Sequence, residues 1–150
     1  MANHAEFDAF VETIAKLRAP DGCPWDREQT HASIAHNMIE EAYEAVDAIE
    51  AHDAAHLREE LGDVLLQVVL QSQIAADAGE FTIDDVCRDI NEKMVRRHPH
   101  IFGEVQASTP EEVAGIWGCC ENARARSRDG RGSWRRKARW PSSTACPRAF

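Results

Sequence analysis

Apolar residues recur at three- and four-residue intervals through most of the first 118 positions, and no run of period-two alternation is long enough for a strand. Phe7, Phe10, Val11, Ile14 and Leu17 predict a helix over about 5–18, with Asn3 and Glu6 spaced as a capping box. Pro20-Asp21-Gly22-Cys23-Pro24 then breaks the chain into a loop that ends at Trp25 and Asp26. Thr30 is placed to cap a second helix reaching about Ala51, whose stripe is Ile34, Met38, Ile39, Ala42, Val46 and Ile49, with Tyr43 bordering it. His52-Asp53-Ala54 supplies a turn in which Asp53 is the N-cap.

A third helix over about 54–78 carries Leu57, Leu61, Val64, Leu65, Val68, Val69 and Ile74, and Gly79 ends it. Gly62 lies inside it, at a cost of about 1 kcal/mol relative to Ala, and predicts a close approach by another helix. Thr82 with Asp85 starts a fourth helix bearing Ile83, Val86, Cys87, Ile90, Met94 and Val95. Thr109-Pro110-Glu111-Glu112 starts a short fifth that runs through Trp117. The pattern reads as all-α, an antiparallel bundle with short loops.

Charge divides the chain more sharply than hydropathy does. The net charge is −9, yet residues 119–150 hold nine Lys/Arg against two acids. Residues 1–118 therefore hold eight bases and 24 acids, a charge of −16 that disfavours nonspecific nucleic-acid binding. After Trp117 the helical period stops, and Arg, Trp and Cys replace aliphatic residues. Such a change is what translation in a shifted reading frame produces, and we expect a helical domain over 1–118 and a poorly packed Arg-rich tail over 119–150. No apolar run approaches a membrane span, and no signal-peptide pattern opens the sequence. Five Cys (23, 87, 119, 120, 146) lack framework spacing, which fits a reduced, cytoplasmic setting.

Candidate chemistry lies in two acidic motifs on consecutive helices, Glu40-Glu41-Ala42-Tyr43-Glu44 and Glu60-Leu61-Gly62-Asp63. Glu41 and Glu44 sit about 60° apart on one helix face, and Glu60 and Asp63 repeat the spacing. Across a short connection the four carboxylates could converge beside the apolar stripes, at the edge of the core. Clustered oxygen ligands suit Mg²⁺ or Mn²⁺, whereas a solvated acidic face is the plain alternative, and spacing leaves both open. Lys93, Arg96 and Arg97 end the fourth helix, where they can serve the helix dipole or meet phosphate. Trp25 reads either as a plug over the helix ends or as a stacking wall for a planar ligand. His52 and His56 have a zinc-compatible spacing without a third ligand. No glycine-rich phosphate loop and no partnered nucleophilic cysteine is present.

Taken together, Cys23-Pro24-Trp25-Asp26 with Gln29-Thr30, the two acidic motifs, and Arg96-Arg97-His98-Pro99-His100-Ile101-Phe102 closely resemble the MazG nucleoside triphosphate pyrophosphohydrolases over about residues 5–117. The resemblance implies an all-α, four-helix-bundle-like, oligomeric enzyme that cleaves (d)NTPs between the α and β phosphates. It implies Mg²⁺ (Mn²⁺ as a substitute) on Glu41, Glu44, Glu60 and Asp63, with Glu40 orienting or deprotonating water. Lys93, Arg96 and Arg97 take the triphosphate-binding positions and Trp25 the base wall. Relatives often carry a second copy of the domain, so the alternative is a non-catalytic dimerisation module, one half of a tandem protein.

Overall fold

A computed structural model describes residues 4–117. Asn3 and the tail 119–150 lie outside the described residues. The elements are α1 (Ala5–Arg18), α2 (Pro24–Glu28), α3 (Asn37–Glu50), α4 (Ala54–Asp77), α5 (Ile83–Arg97) and α6 (Pro99–Phe102), followed by helical residues 110–117. No strand occurs among the described residues, and no helix among them is long and apolar enough to cross a membrane. The chain divides into two compact units between Cys87 and Arg88.

Several helix ends follow from local chemistry. Asp53 caps α4, its Oδ1 accepting from the amides of Ala55 and His56 at 3.0 Å each. Gly79, at φ 71°, closes α4 with amide bonds from Gly79 to Ala76 and from Glu80 to Ala75, a Schellman pattern. His52, at φ 55°, closes α3 in the same way, which turns the chain into α4 within three residues. Thr82 and Asp85 exchange cap bonds at the start of α5.

Elsewhere local bonds moved the expected boundaries. His4 is the N-cap of α1 and makes no side-chain cap bond. Pro24 sits in the first turn of α2, so Trp25 lies on a short helix rather than at a loop end. Thr30 and Ser33 do bond reciprocally, but Ser33 also donates to the Thr30 carbonyl and to Gln29. Turns follow over 31–36, and α3 begins only at Asn37.

The first unit is built on α4, against which α3 and α1 pack. Its core is Ile14, Ile34, Val69, Leu70 and Ile74, flanked by Phe7, Phe10, Val11, Leu66 and Ile83. The face that α3 buries is not its bulky one. Ala45 and Ala48 are buried, Glu41 is half-buried, and Ile39, Val46 and Ile49 are 59%, 46% and 53% exposed. At about 100° per residue Ile39 and Glu41 are some 160° apart, on opposite faces. On α4 Leu61 is likewise exposed while Glu60 and Gln67 are buried. The expected arrangement, an apolar stripe inward with acids at its edge, is thus reversed over the α3–α4 hairpin. Gly62 has open space within 4 Å of an added Cβ, so no helix among the described residues approaches it closely.

In the second unit Pro99 starts α6, and the His98 ring meets Trp117 edge-on at 5.4 Å between centroids. The Glu112 carboxylate accepts from the Ser108 and Thr109 amides, and Thr109 Oγ1 accepts from the Glu112 amide, the cap foreseen for residues 109–112.

Candidate metal centre

The inverted hairpin turns Glu41 of the first acidic motif and Glu60 and Asp63 of the second inward. Glu41, on the inner face of α3, meets Glu60 and Asp63, one turn apart on α4, with one ligand oxygen of each within 4.8 Å of the others. Glu60 is 6% exposed, and its Oε2 is buried without a hydrogen-bond partner. Glu44 and Glu40 are exposed on α3 and lie outside that close group.

Charge nevertheless couples all five acids. Burial first, then the neighbouring charges of Asp63 and Glu44, and least Glu40, push the Glu41 carboxyl up, while a bond from Gln67 Nε2 to its Oε1 (3.4 Å) opposes them. The Glu60 carboxyl is pushed up by burial and by the Glu44 charge, and His56 opposes that rise. Like charges held together in a buried setting raise each other's proton affinity until a cation intervenes. An all-oxygen donor set with an unpartnered buried oxygen fits Mg²⁺ or Mn²⁺. These carboxylates are the only close group of three or more possible ligands among the described residues.

The sequence offers His56 only as half of a zinc-compatible pair and gives Gln67 no role. His56 Nε2 is 2.8 Å from Glu60 Oε1, and Gln67 is the buried donor to Glu41. The signal was the spacing itself, since 56, 60, 63 and 67 share one face of α4. His56 pairs with Glu60, and neither His52 nor His56 belongs to the close group of possible ligands, so the zinc-compatible pair gains no third ligand there.

Trp25 is 59% exposed, so it plugs nothing. Its helix is pinned by Arg18, which bonds the Asp26 and Gln29 carbonyls and the Asp77 carboxylate (Nε–Oδ2 2.7 Å). Gly22 makes that turn possible, since a Cβ there would sit 2.3 Å from the Leu17 carbonyl oxygen. Lys93, Arg96 and Arg97 end α5, in the second unit.

Residues 29–102 match the model of the MazG nucleotide pyrophosphohydrolase domain, a span that includes both acidic motifs and the basic end of α5. The chain carries a MazG domain. The YabN protein of Bacillus subtilis is 54% identical over 112 residues, 75% of this chain and 23% of that protein. A Thermotoga maritima protein named nucleoside triphosphate pyrophosphohydrolase/pyrophosphatase MazG is 54% identical over 98 residues, 65% and 38% of the two chains. An Escherichia coli nucleoside triphosphate pyrophosphohydrolase is 45% identical over 113 residues, 75% and 43%. The chain thus spans less than half the length of these relatives. The crystal structure of a mazG-related protein from Thermotoga maritima superposes with a TM-score of 0.64 at 26% identity, over 77% of this chain and 98% of that one. The all-α MazG fold is therefore the fold of this chain.

Proposed function

We propose that this MazG protein hydrolyses nucleoside triphosphates between the α and β phosphates, releasing a nucleoside monophosphate and pyrophosphate, with Mg²⁺ as cofactor and Mn²⁺ as a substitute. The observation that supports it is the convergence of Glu41, Glu60 and Asp63, in which the buried Glu60 carboxylate keeps one oxygen without a hydrogen-bond partner. The MazG domain and the names of the relatives point the same way.

Glu41, Glu44, Glu60 and Asp63 hold the cation in this reading. When bound, it screens the triphosphate charge and lowers the pKa of water. Glu40, exposed beside Glu41, orients the attacking water or takes its proton. Lys93, Arg96 and Arg97 bind the triphosphate and stabilise the leaving pyrophosphate. The exposed ring of Trp25 stacks on the base. No step needs a covalent intermediate. The free thiols Cys23 and Cys87 suit a reducing, cytoplasmic setting.

The outward faces of α3 and α4 support a homo-oligomer as the working form. Ile39, Val46, Ile49 and Leu61 are each about half exposed in a single chain, apolar side chains of the kind that protein contacts cover. A second copy of the hairpin is the occupant that matches this face in chemistry.

Pyrophosphate release from a panel of NTPs with Mg²⁺ tests the reaction. Glu41→Gln and Asp63→Asn are expected to lower turnover by at least about 100-fold, in line with the loss of metal-site groups. Parent-like rates in both variants would remove the metal-site mechanism. Mn²⁺ binding without turnover would point to a dimerisation module, and light scattering that shows only monomer in the active protein would remove the oligomer.

A further inference from the structure

We infer that His56 is a positioning residue for the metal centre, its imidazole Nε2 holding Glu60 Oε1 so that Oε2 stays turned to the cation. This rests on the metal-site reading above and extends it to a residue that touches neither metal nor substrate.

His56 lies in the first turn of α4, where its amide is bound by Asp53 Oδ1 at 3.0 Å. Its side chain stands one turn before Glu60, with Nε2 2.8 Å from Oε1, and is 47% exposed while that of Glu60 is 8% exposed. The capped helix start therefore fixes the backbone from which the ring reaches inward. Glu60 has two carboxylate oxygens; His56 engages one, and the other is buried without a partner.

The charges of Glu44 and Asp63 bear on Glu60 and disfavour its carboxylate in the cluster unless something holds it there. A carboxylate oxygen accepts, so the imidazole nitrogen donates, and a ring protonated at Nε2 can do so in its neutral and its charged form. The restraint thus does not require a charged histidine. Metal-binding side chains depend on such outer partners for orientation, and losing one typically costs about 10- to 100-fold in metal affinity.

The test is Mn²⁺ titration of the full chain by calorimetry, without nucleotide, comparing the parent with His56→Ala and His56→Gln. Thermal melts accompany each variant. The Gln amide can donate to Glu60 from the same turn but lacks the imidazole. The expected result is a Kd raised about 10- to 100-fold in His56→Ala, restored to near the parent value in His56→Gln, with both melting near the parent. Equal affinity of the parent and His56→Ala would overturn the role of His56 while leaving the metal site in place. Equal weakening in both variants would overturn positioning, because it would make the imidazole a ligand. A parent chain that binds no Mn²⁺ would overturn the metal-site reading, and this one with it.

Discussion

Two halves of one helix face teach most about this molecule. Positions 56, 60, 63, 67, 70 and 74 of α4 succeed one another at intervals of four and three, so they line a single side. Toward α3 that side carries His56, Glu60, Asp63 and Gln67; toward the core with Ile14 and Ile34 it carries Leu70 and Ile74. Burying Leu70 and Ile74 contributes about 1.5–3 kcal/mol each. Burying Glu60 with a neighbouring charge and an unpartnered oxygen works against folding. One half of the stripe thus holds the fold, and the other spends part of that stability on a site.

Three substitutions sharpen or break the contrast. The largest effect belongs to the apolar half. Ile74→Ala should lower unfolding stability by about 2–5 kcal/mol, measured by denaturant titration, while Mn²⁺ affinity of the folded protein stays at the parent value. A large change in affinity would mean that the two halves are not separable.

Glu60→Gln should act in the opposite sense in metal-free protein, raising the melting temperature at neutral pH while abolishing tight Mn²⁺ binding. The sign follows from the raised carboxyl of Glu60. A carboxyl with a higher pKa folded than unfolded binds protons better in the native state. Its penalty is absent below the unfolded value of about 4.5, grows as pH rises through the folded value, and is complete above it. The advantage of Gln over Glu should therefore appear above that window and vanish below it. A destabilised variant at neutral pH would show that the His56–Glu60 bond outweighs the repulsion.

The smallest effect lies at Gly62, about 160° around α4 from Glu60 and on the outward side. An added Cβ there meets nothing within 4 Å. Gly62→Ala should stabilise the single chain by about 1 kcal/mol. If a second copy brings its backbone to this face, the same change should instead weaken assembly, seen as a shift toward monomer in light scattering.

Much of the local order was legible in the sequence. Asp53, Gly79, Thr82 with Asp85, and Thr109 with Glu112 each act within one turn of the chain, so spacing alone reveals them. The pairing of the acidic motifs across a short turn was legible too, because three residues can only fold α4 back along α3. The burial of that pair was not. The periodic stripe of Ile39, Val46 and Ile49 establishes that one face of α3 is apolar, but periodicity carries no information about which body covers it.

The sequence by itself determined an all-helical chain, its turns, and the acids capable of meeting a cation, because each depends on neighbours within about one helical turn. Tertiary structure alone decided that small Ala45 and Ala48 face α4, that the bulky residues face outward, and that Glu60 is enclosed with His56 on one oxygen. Small side chains let two helices approach closely, and that close approach carries the carboxylates of both inside. Which face yields the closest packing depends on both helices at once, and no pattern along one of them contains it.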